Sequence, residues 1–192
     1  MKMMRWLIVA GSAASLAGCF GGKAPPTLFT LTSSAPDPQQ MTRSASAGQA
    51  VTIANPIVDK ALRTTRVSVD LGTQVQYVKG IQLVDYPDRL FQQLVSETVR
   101  RTTNRVVLDP GQSTMDPGLV VTGTLQKFGY DQASGQVVVQ YDGALSTEGG
   151  TRVEARRFTA SVAADGTNKT VPQALNDAAN QVAADVAKWI GG

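Results

Sequence analysis

From residue 51 onward, apolar positions recur at two intervals. Residues 51–54 (VTIA), 66–71 (RVSVDL) and 74–78 (QVQYV) alternate apolar with polar side chains, as a strand with one buried face does, and Gly72-Thr73 supplies a turn between the last two. Asp85-Tyr86-Pro87 then opens a helix, because proline suits the first helical position, where its missing N–H leaves no bond unmade. Tyr86, Leu90, Phe91, Leu94, Val95, Thr98 and Val99 follow at helical spacing, with Arg89, Gln93, Glu97 and Arg100 on the other side. Asn104 ends that helix, residues 106–108 (VVL) read as a short strand, and Asp109-Pro110-Gly111 breaks the chain. Three longer strands are predicted over 119–130, 136–147 and 152–163. Their glycine-containing connections at Ser134-Gly135 and Gly149-Gly150 favour antiparallel hairpins. In the middle strand Val137, Val139, Tyr141 and Leu145 share one face, and Gln140, Asp142 and Ser146 the other. Thr170-Val171-Pro172 opens a last helix whose apolar stripe is Leu175, Ala178, Val182, Val186 and Trp189. The expected fold is α/β: a single domain in which two amphipathic helices pack on a mixed, mostly antiparallel sheet.

The first 50 residues follow another pattern. Lys2 and Arg5 precede an apolar stretch over 6–18, which is shorter than the ~20 residues of a spanning helix and reads as a secretory signal. Leu16-Ala17-Gly18 then brings small residues up to Cys19. That order resembles the lipobox of bacterial lipoproteins. The resemblance implies cleavage between Gly18 and Cys19 and a diacylglyceryl thioether on the Cys19 thiol, so residues 1–18 are a lipoprotein signal peptide. Two or three acyl chains hold a protein on a membrane essentially permanently, since each buried CH₂ contributes about 0.8 kcal/mol. Phe20 stands where an Asp favours inner-membrane retention in lipoprotein sorting, so the expected location is the outer membrane, facing the periplasm, with inner-membrane retention as the alternative. Residues 20–26 (FGGKAPP) form a tether that spans at most about 25 Å. Residues 27–32 (TLFTLT) read as a first strand that pairs into the sheet, and the polar stretch 33–50 as a flexible surface loop. The folded domain is thus expected over 27–192.

Composition narrows the chemistry. The chain has no His and one Cys, so His-based metal sites and Ser/Cys–His catalysis are excluded, as are internal disulfides and zinc ribbons. The net charge of +3 includes Lys2 and Arg5, so the chain that remains after cleavage is close to neutral and lacks the basic surplus of a nucleic-acid binder. Asp131, Asp142, Glu148 and Glu154 lie on adjacent hairpin strands, and their expected role is solvent-face and turn chemistry rather than a glycosidase pair. Gly166-Thr167-Asn168-Lys169-Thr170 has Asn168 and Ala163 where a phosphate loop needs glycines, which rejects that motif. Arg100, Arg101 and Arg105, with Arg152, Arg156 and Arg157, are weighed as a lipid-phosphate site and read first as a solvated face and helix-end cations. Of the aromatics, Tyr77, Tyr86, Phe91, Phe128, Tyr130 and Tyr141 are expected to be buried against the helices.

Taken together, Cys19, the Phe29-Thr30-Leu31-Thr32 run, Ile53-Ala54-Asn55-Pro56, Leu62-Arg63-Thr64-Thr65-Arg66 and residues 76–95 resemble the ABC-type transport auxiliary lipoproteins. These are the PqiC-like proteins that accompany Mce-domain lipid transporters. In residues 84–88 (VDYPD) this chain departs from the Trp-containing run that opens the family's helix. The resemblance implies a three-layer arrangement like that of anticodon-binding domains, no enzymatic activity and no cofactor. It further implies partnership with an Mce-domain protein and an ABC permease/ATPase complex, docking of a periplasm-spanning assembly at the outer membrane, and a homo-oligomeric ring in some members. The rival expectation is an envelope-assembly lipoprotein that supports an outer-membrane barrel of the lipopolysaccharide-export type.

Overall fold

The computed structural model describes residues 26–38, 42–46, 48–115, 118–147, 150 and 152–191. Its spine is β8 (Leu119–Asp131), flanked on one side by β9 (Gln136–Thr147) and then β10 (Arg152–Ala163), both antiparallel to their neighbours. On its other side β8 is long enough to take three short parallel partners in tandem. These are β2 (Val51–Ile53) at 119–121, β3 (Ile57–Val58) at 124–125 and β4 (Ser68–Asp70) at 129–131. Pro56, which has no N–H to give a ladder, stands in the break between β2 and β3. β5 (Val75–Tyr77) folds back on β4 through the predicted turn, and β7 (Val107–Leu108) lies parallel to β2 at the edge. Most of the paired positions are in the antiparallel β8–β9–β10 ladder, as the alternation predicts.

Gln126 is an extra residue in β8, bulged between the Leu125 and Lys127 pairings. Strict alternation from Leu125 would turn Phe128 outward; the bulge resets the phase, so Leu125 and Phe128 are both buried under the helices. Those helices are α1 (Pro87–Thr102) and α2 (Val171–Gly191). Pro87 opens α1 at its first turn, and Arg100 and Arg101 sit in its last, where cations offset the helix dipole. Both pack on the same face of the sheet. An aromatic series records it: Phe91 of α1 lies 5.1 Å from Tyr141 of β9, which stacks 6.4 Å from Phe158 of β10, which lies 5.4 Å from Trp189 of α2. On α2, Ala179, Ala183 and Ala187 recur at four-residue intervals along one side of the helix and are all buried.

The N-terminal region departs from expectation. Its strand, β1 (Thr27–Phe29), is shorter than residues 27–32 and pairs outside the main sheet, parallel to β6 (Ile81–Leu83). From Thr30 onward the chain is extended, but its partners are side chains on the helices. Asn176 Oδ1 accepts from the Thr32 N–H at 2.8 Å and Asn180 Oδ1 from the Ser34 N–H at 2.8 Å, while Asn180 Nδ2 donates to the Thr32 carbonyl at 2.9 Å. From α1, Thr98 meets the Ser33 hydroxyl at 3.2 Å and Arg101 donates to the Ala35 carbonyl at 3.0 Å. Asn180 and Trp189 are nine residues, two and a half turns, apart, so this strap crosses the helix pair on the side away from the sheet. Sheet, helices and strap form the layers of the fold. Farther along, Arg43 donates to the carbonyls of Thr103 and Arg105. The described residues of 33–50 thus contain no helix or strand, yet several are hydrogen-bonded to the domain; a polar composition predicts the first property and is silent on the second.

Candidate functional site

The carboxylates of the hairpin strands do not converge. Asp131 and Asp142 lie on the sheet face turned away from the helices, six residues apart along the ladder, or about 20 Å. Arg157 forks onto Asp142 at 2.6 and 2.8 Å, and this hydrogen bonding holds the Asp142 carboxyl below its ordinary range. Asp131 accepts the N–H of Ala133 at 2.9 Å and shapes the hairpin turn. Glu154, on the helix-facing side, accepts the indole N–H of Trp189 at 2.8 Å. Glu148 lies outside the described residues. Among the described residues no cluster of His, Cys, Asp or Glu could hold a metal ion.

In the loop before α2 a carboxylate already takes up donors that a phosphate would need. Asp165 Oδ1 accepts from the Thr167 N–H at 2.9 Å, the Thr167 hydroxyl at 2.7 Å and the Thr170 hydroxyl. With the Thr170 and Thr167 hydroxyls donating to it, its pKa falls to about 2, so the loop already holds a permanent anion.

The six arginines weighed as a phosphate site are spread over two regions and already engaged. Arg101 pairs with Glu97 at 2.6 Å, Arg100 with Glu97 and Asp109 at 3.6 and 3.4 Å, and Arg105 donates to the Gln49 carbonyl at 3.4 Å. On β10, Arg157 is held by Asp142, Arg152 stands 3.9 Å from Glu154 and Arg156 lies over the Phe158 ring. Of the aromatics, Phe91, Phe128 and Tyr141 are buried as expected, whereas Tyr86 is 46% exposed.

A different set of cations was missed by sequence reasoning. An open cleft of about 870 Å³ is lined by Ile57, Asp59, Lys60, Arg63, Arg66 and Tyr77. Arg66 lies flat on the Tyr77 ring, 3.9 Å from its centroid, and the Tyr77 hydroxyl donates to the Ala61 carbonyl at 3.2 Å. Arg63 donates to the Val58 carbonyl at 3.3 Å. Among the described residues, no carboxylate comes within 4.0 Å of the charged atoms of Lys60, Arg63 or Arg66. Lys60, Arg63 and Arg66 stand three residues apart, a spacing that would share a face in a helix, but only Lys60 lies in a helical turn (Lys60–Leu62) and residues 63–67 have no regular structure, so the fold and not a local period makes them one surface.

Cys19, the predicted lipidation site, lies outside the described residues. The chain enters the described domain at its β1 end, where the Thr27 N–H donates to the Gly80 carbonyl at 3.1 Å. Gly80 has φ +83°, in the left-handed region that favours glycine, and a Cβ there would also displace the Asn168 amide 2.9 Å away. Thr27 is eight positions beyond Cys19 in the chain, a reach of at most about 28 Å.

Comparison with known proteins decides the family. The model of the ABC-type transport auxiliary lipoprotein component matches residues 29–187, most of the chain. The chain belongs to that family. As an auxiliary lipoprotein component it has a transport-associated accessory role with an ABC system in the cell envelope, and its family is not a known enzyme class. No curated protein matches the sequence. Among solved structures, protein XCC0632 from Xanthomonas campestris is 15% identical, with a TM-score of 0.66 over 87% of this chain and 92% of that one. An uncharacterized protein is 13% identical, with a TM-score of 0.67 over 86% and 99%. A PelC dodecamer from Paraburkholderia phytofirmans is a looser match, 15% identical with a TM-score of 0.44 over 79% and 96%. The first two share the α/β fold of the auxiliary lipoprotein described here. Among the described residues no helix is long and apolar enough to cross a membrane.

Proposed function

We propose that this auxiliary lipoprotein is anchored through acylated Cys19 in the outer membrane, faces the periplasm, and docks the periplasm-spanning part of an Mce-type ABC lipid transporter there without catalysing a reaction. The observation that carries this reading is the family match over residues 29–187, taken with the lipobox-like Leu16-Ala17-Gly18-Cys19. The geometry adds surfaces suited to contact. Among the described residues β10 pairs only with β9, which leaves the other edge of this twelve-residue strand open to them, and Val153 on it is 64% exposed. The sheet face turned from the helices, which carries Thr124, Gln140, Thr159 and Ser161, is uncovered by any described element. An open strand edge is a template for pairing with another chain, and Arg152, Arg156 and Arg157 on this one restrict which partner is tolerated.

The test is affinity purification of the full lipidated protein from envelope extracts in mild detergent. Recovery of an Mce-domain protein together with a permease or ATPase is expected; recovery of none of them rejects the reading. Recovery of a large outer-membrane β-barrel instead would replace it with a role in barrel assembly.

A further inference from the structure

The cation-lined cleft lies beside the point where the tether joins the domain. The β4–β5 pairing sets Ser68 opposite Tyr77, and the Val78 N–H donates to the Val67 carbonyl at 3.0 Å. The same register therefore brings Arg66 opposite Lys79, the residue next to Gly80, whose carbonyl holds Thr27. The strand to which β1 is paired also touches the cleft segment, since the Leu83 N–H donates to the Thr65 carbonyl at 2.7 Å. Lys60, Arg63, Arg66 and Lys79 are all exposed, against one carboxylate, Asp59, in the cleft. Two large apolar side chains flank this surface in the open: Ile57 at 68% and Leu28, on β1 itself, at 63% exposure. Exposed cations interleaved with exposed aliphatics, on the part of the domain joined to the anchor through Thr27 by a tether of at most about 28 Å, match the chemistry of a bilayer surface, with its phosphates outside and hydrocarbon beneath.

We propose that this face is a second membrane contact: Lys60, Arg63, Arg66 and Lys79 engage the phosphates of anionic lipid headgroups in the bilayer that holds the anchor, and Ile57 and Leu28 enter the interface. The inference rests on the acylation of Cys19, because the short tether is what keeps the cleft at the lipid surface. It orients the domain, turning the cleft to the membrane and leaving β10 and the open sheet face free for a protein partner. Each cation near an anionic surface is worth about a five-fold change in occupancy.

Cys19 is the sole cysteine, so once it is acylated an introduced thiol is unique. The full lipidated chain carrying Ile57→Cys is labelled with an environment-sensitive fluorophore and reconstituted into vesicles of phosphatidylcholine with or without phosphatidylglycerol. A blue shift and quenching by lipid-borne quenchers are expected with phosphatidylglycerol, weakened by salt and lost in the Lys60→Gln/Arg66→Gln/Lys79→Gln background. That background spares Arg63, which supports the local backbone, and its thermal unfolding is measured to show that the fold persists. A label on Val153→Cys serves as the control and should report water in both vesicles. An equal signal at residue 57 in both vesicles, or one that survives the triple substitution, overturns the headgroup contact. Labelling of the parent chain at Cys19, with no co-sedimentation with either vesicle, overturns the anchor itself and this inference with it.

Discussion

The ring of Tyr141 shows how closely single residues are fitted here. Gly123 and Gly143 face each other across β8 and β9, and a Cβ on either would fall 2.7 or 2.8 Å from that ring. The ring covers both glycines, and its hydroxyl donates to the Thr122 carbonyl at 2.8 Å, while burial raises its pKa well above the phenol range. Gly143→Ala should therefore overpack the site and cost about 1–3 kcal/mol, read as a lower urea midpoint at unchanged slope. Asp165 offers a pH test. Its carboxyl is lowered from 3.8 to about 2 by the Thr170 and Thr167 hydroxyls, so its contribution is fully present above the unfolded value and is lost as pH falls toward the folded one. Thermal unfolding of the parent and Asp165→Asn should show the parent ahead at pH 6, with the gap narrowing from about pH 4 down to 2. A gap that is constant with pH would mean the carboxylate charge is not what the loop uses.

Among the elements, the strap has least of its stability in regular structure and most in a few side chains. The Asn180 side chain makes three hydrogen bonds to backbone, two of them to the strap, and is buried, with 7% exposure. Asn180→Ala removes both bonds to the strap and leaves the Thr32 carbonyl and Ser34 N–H short of partners, at a cost of about 1–3 kcal/mol. Hydrogen exchange should speed up at residues 32–36 while the β8–β10 ladder keeps its protection; uniform loss of protection would show instead that the strap unfolds only with the whole domain. The elements also differ in how visible they are beforehand. The twelve- and thirteen-residue strands and both helices carry enough periods for alternation or helical spacing to register. β3, with two residues, and β6, with three, do not, and β6 is what gives β1 its partner. The bulge at Gln126 is likewise invisible, because an inserted residue looks like a fault in the alternation until the partner strand is known.

At the scale of the whole molecule, the short tether and the place where it joins the domain set what each surface can reach. Inserting about 20 Gly/Ser residues between Lys23 and Ala24 should leave thermal unfolding unchanged and lower the local concentration of the cleft at the bilayer about six-fold, reducing the phosphatidylglycerol-dependent shift of a label at residue 57. Unchanged fluorescence would mean that the cleft holds the membrane without help from the tether. The sequence by itself determined the α/β class, the helices, the long hairpins and the absence of histidine chemistry, because periodicity and composition are local properties that survive without a fold. It also carried the family likeness and the candidate lipidation of Cys19, since a lipobox is read by enzymes as a short linear motif. Only the tertiary structure decided that Asp131, Asp142 and Glu154 are apart, that the arginines of α1 and β10 are spent on carboxylates, carbonyls and a ring, and that Lys60, Arg63 and Arg66 line one cleft, with Arg66 opposite Lys79 next to the carbonyl that holds Thr27. Those facts depend on which strands pair and in what register, and pairing between residues far apart in the chain leaves no trace in the spacing of either partner.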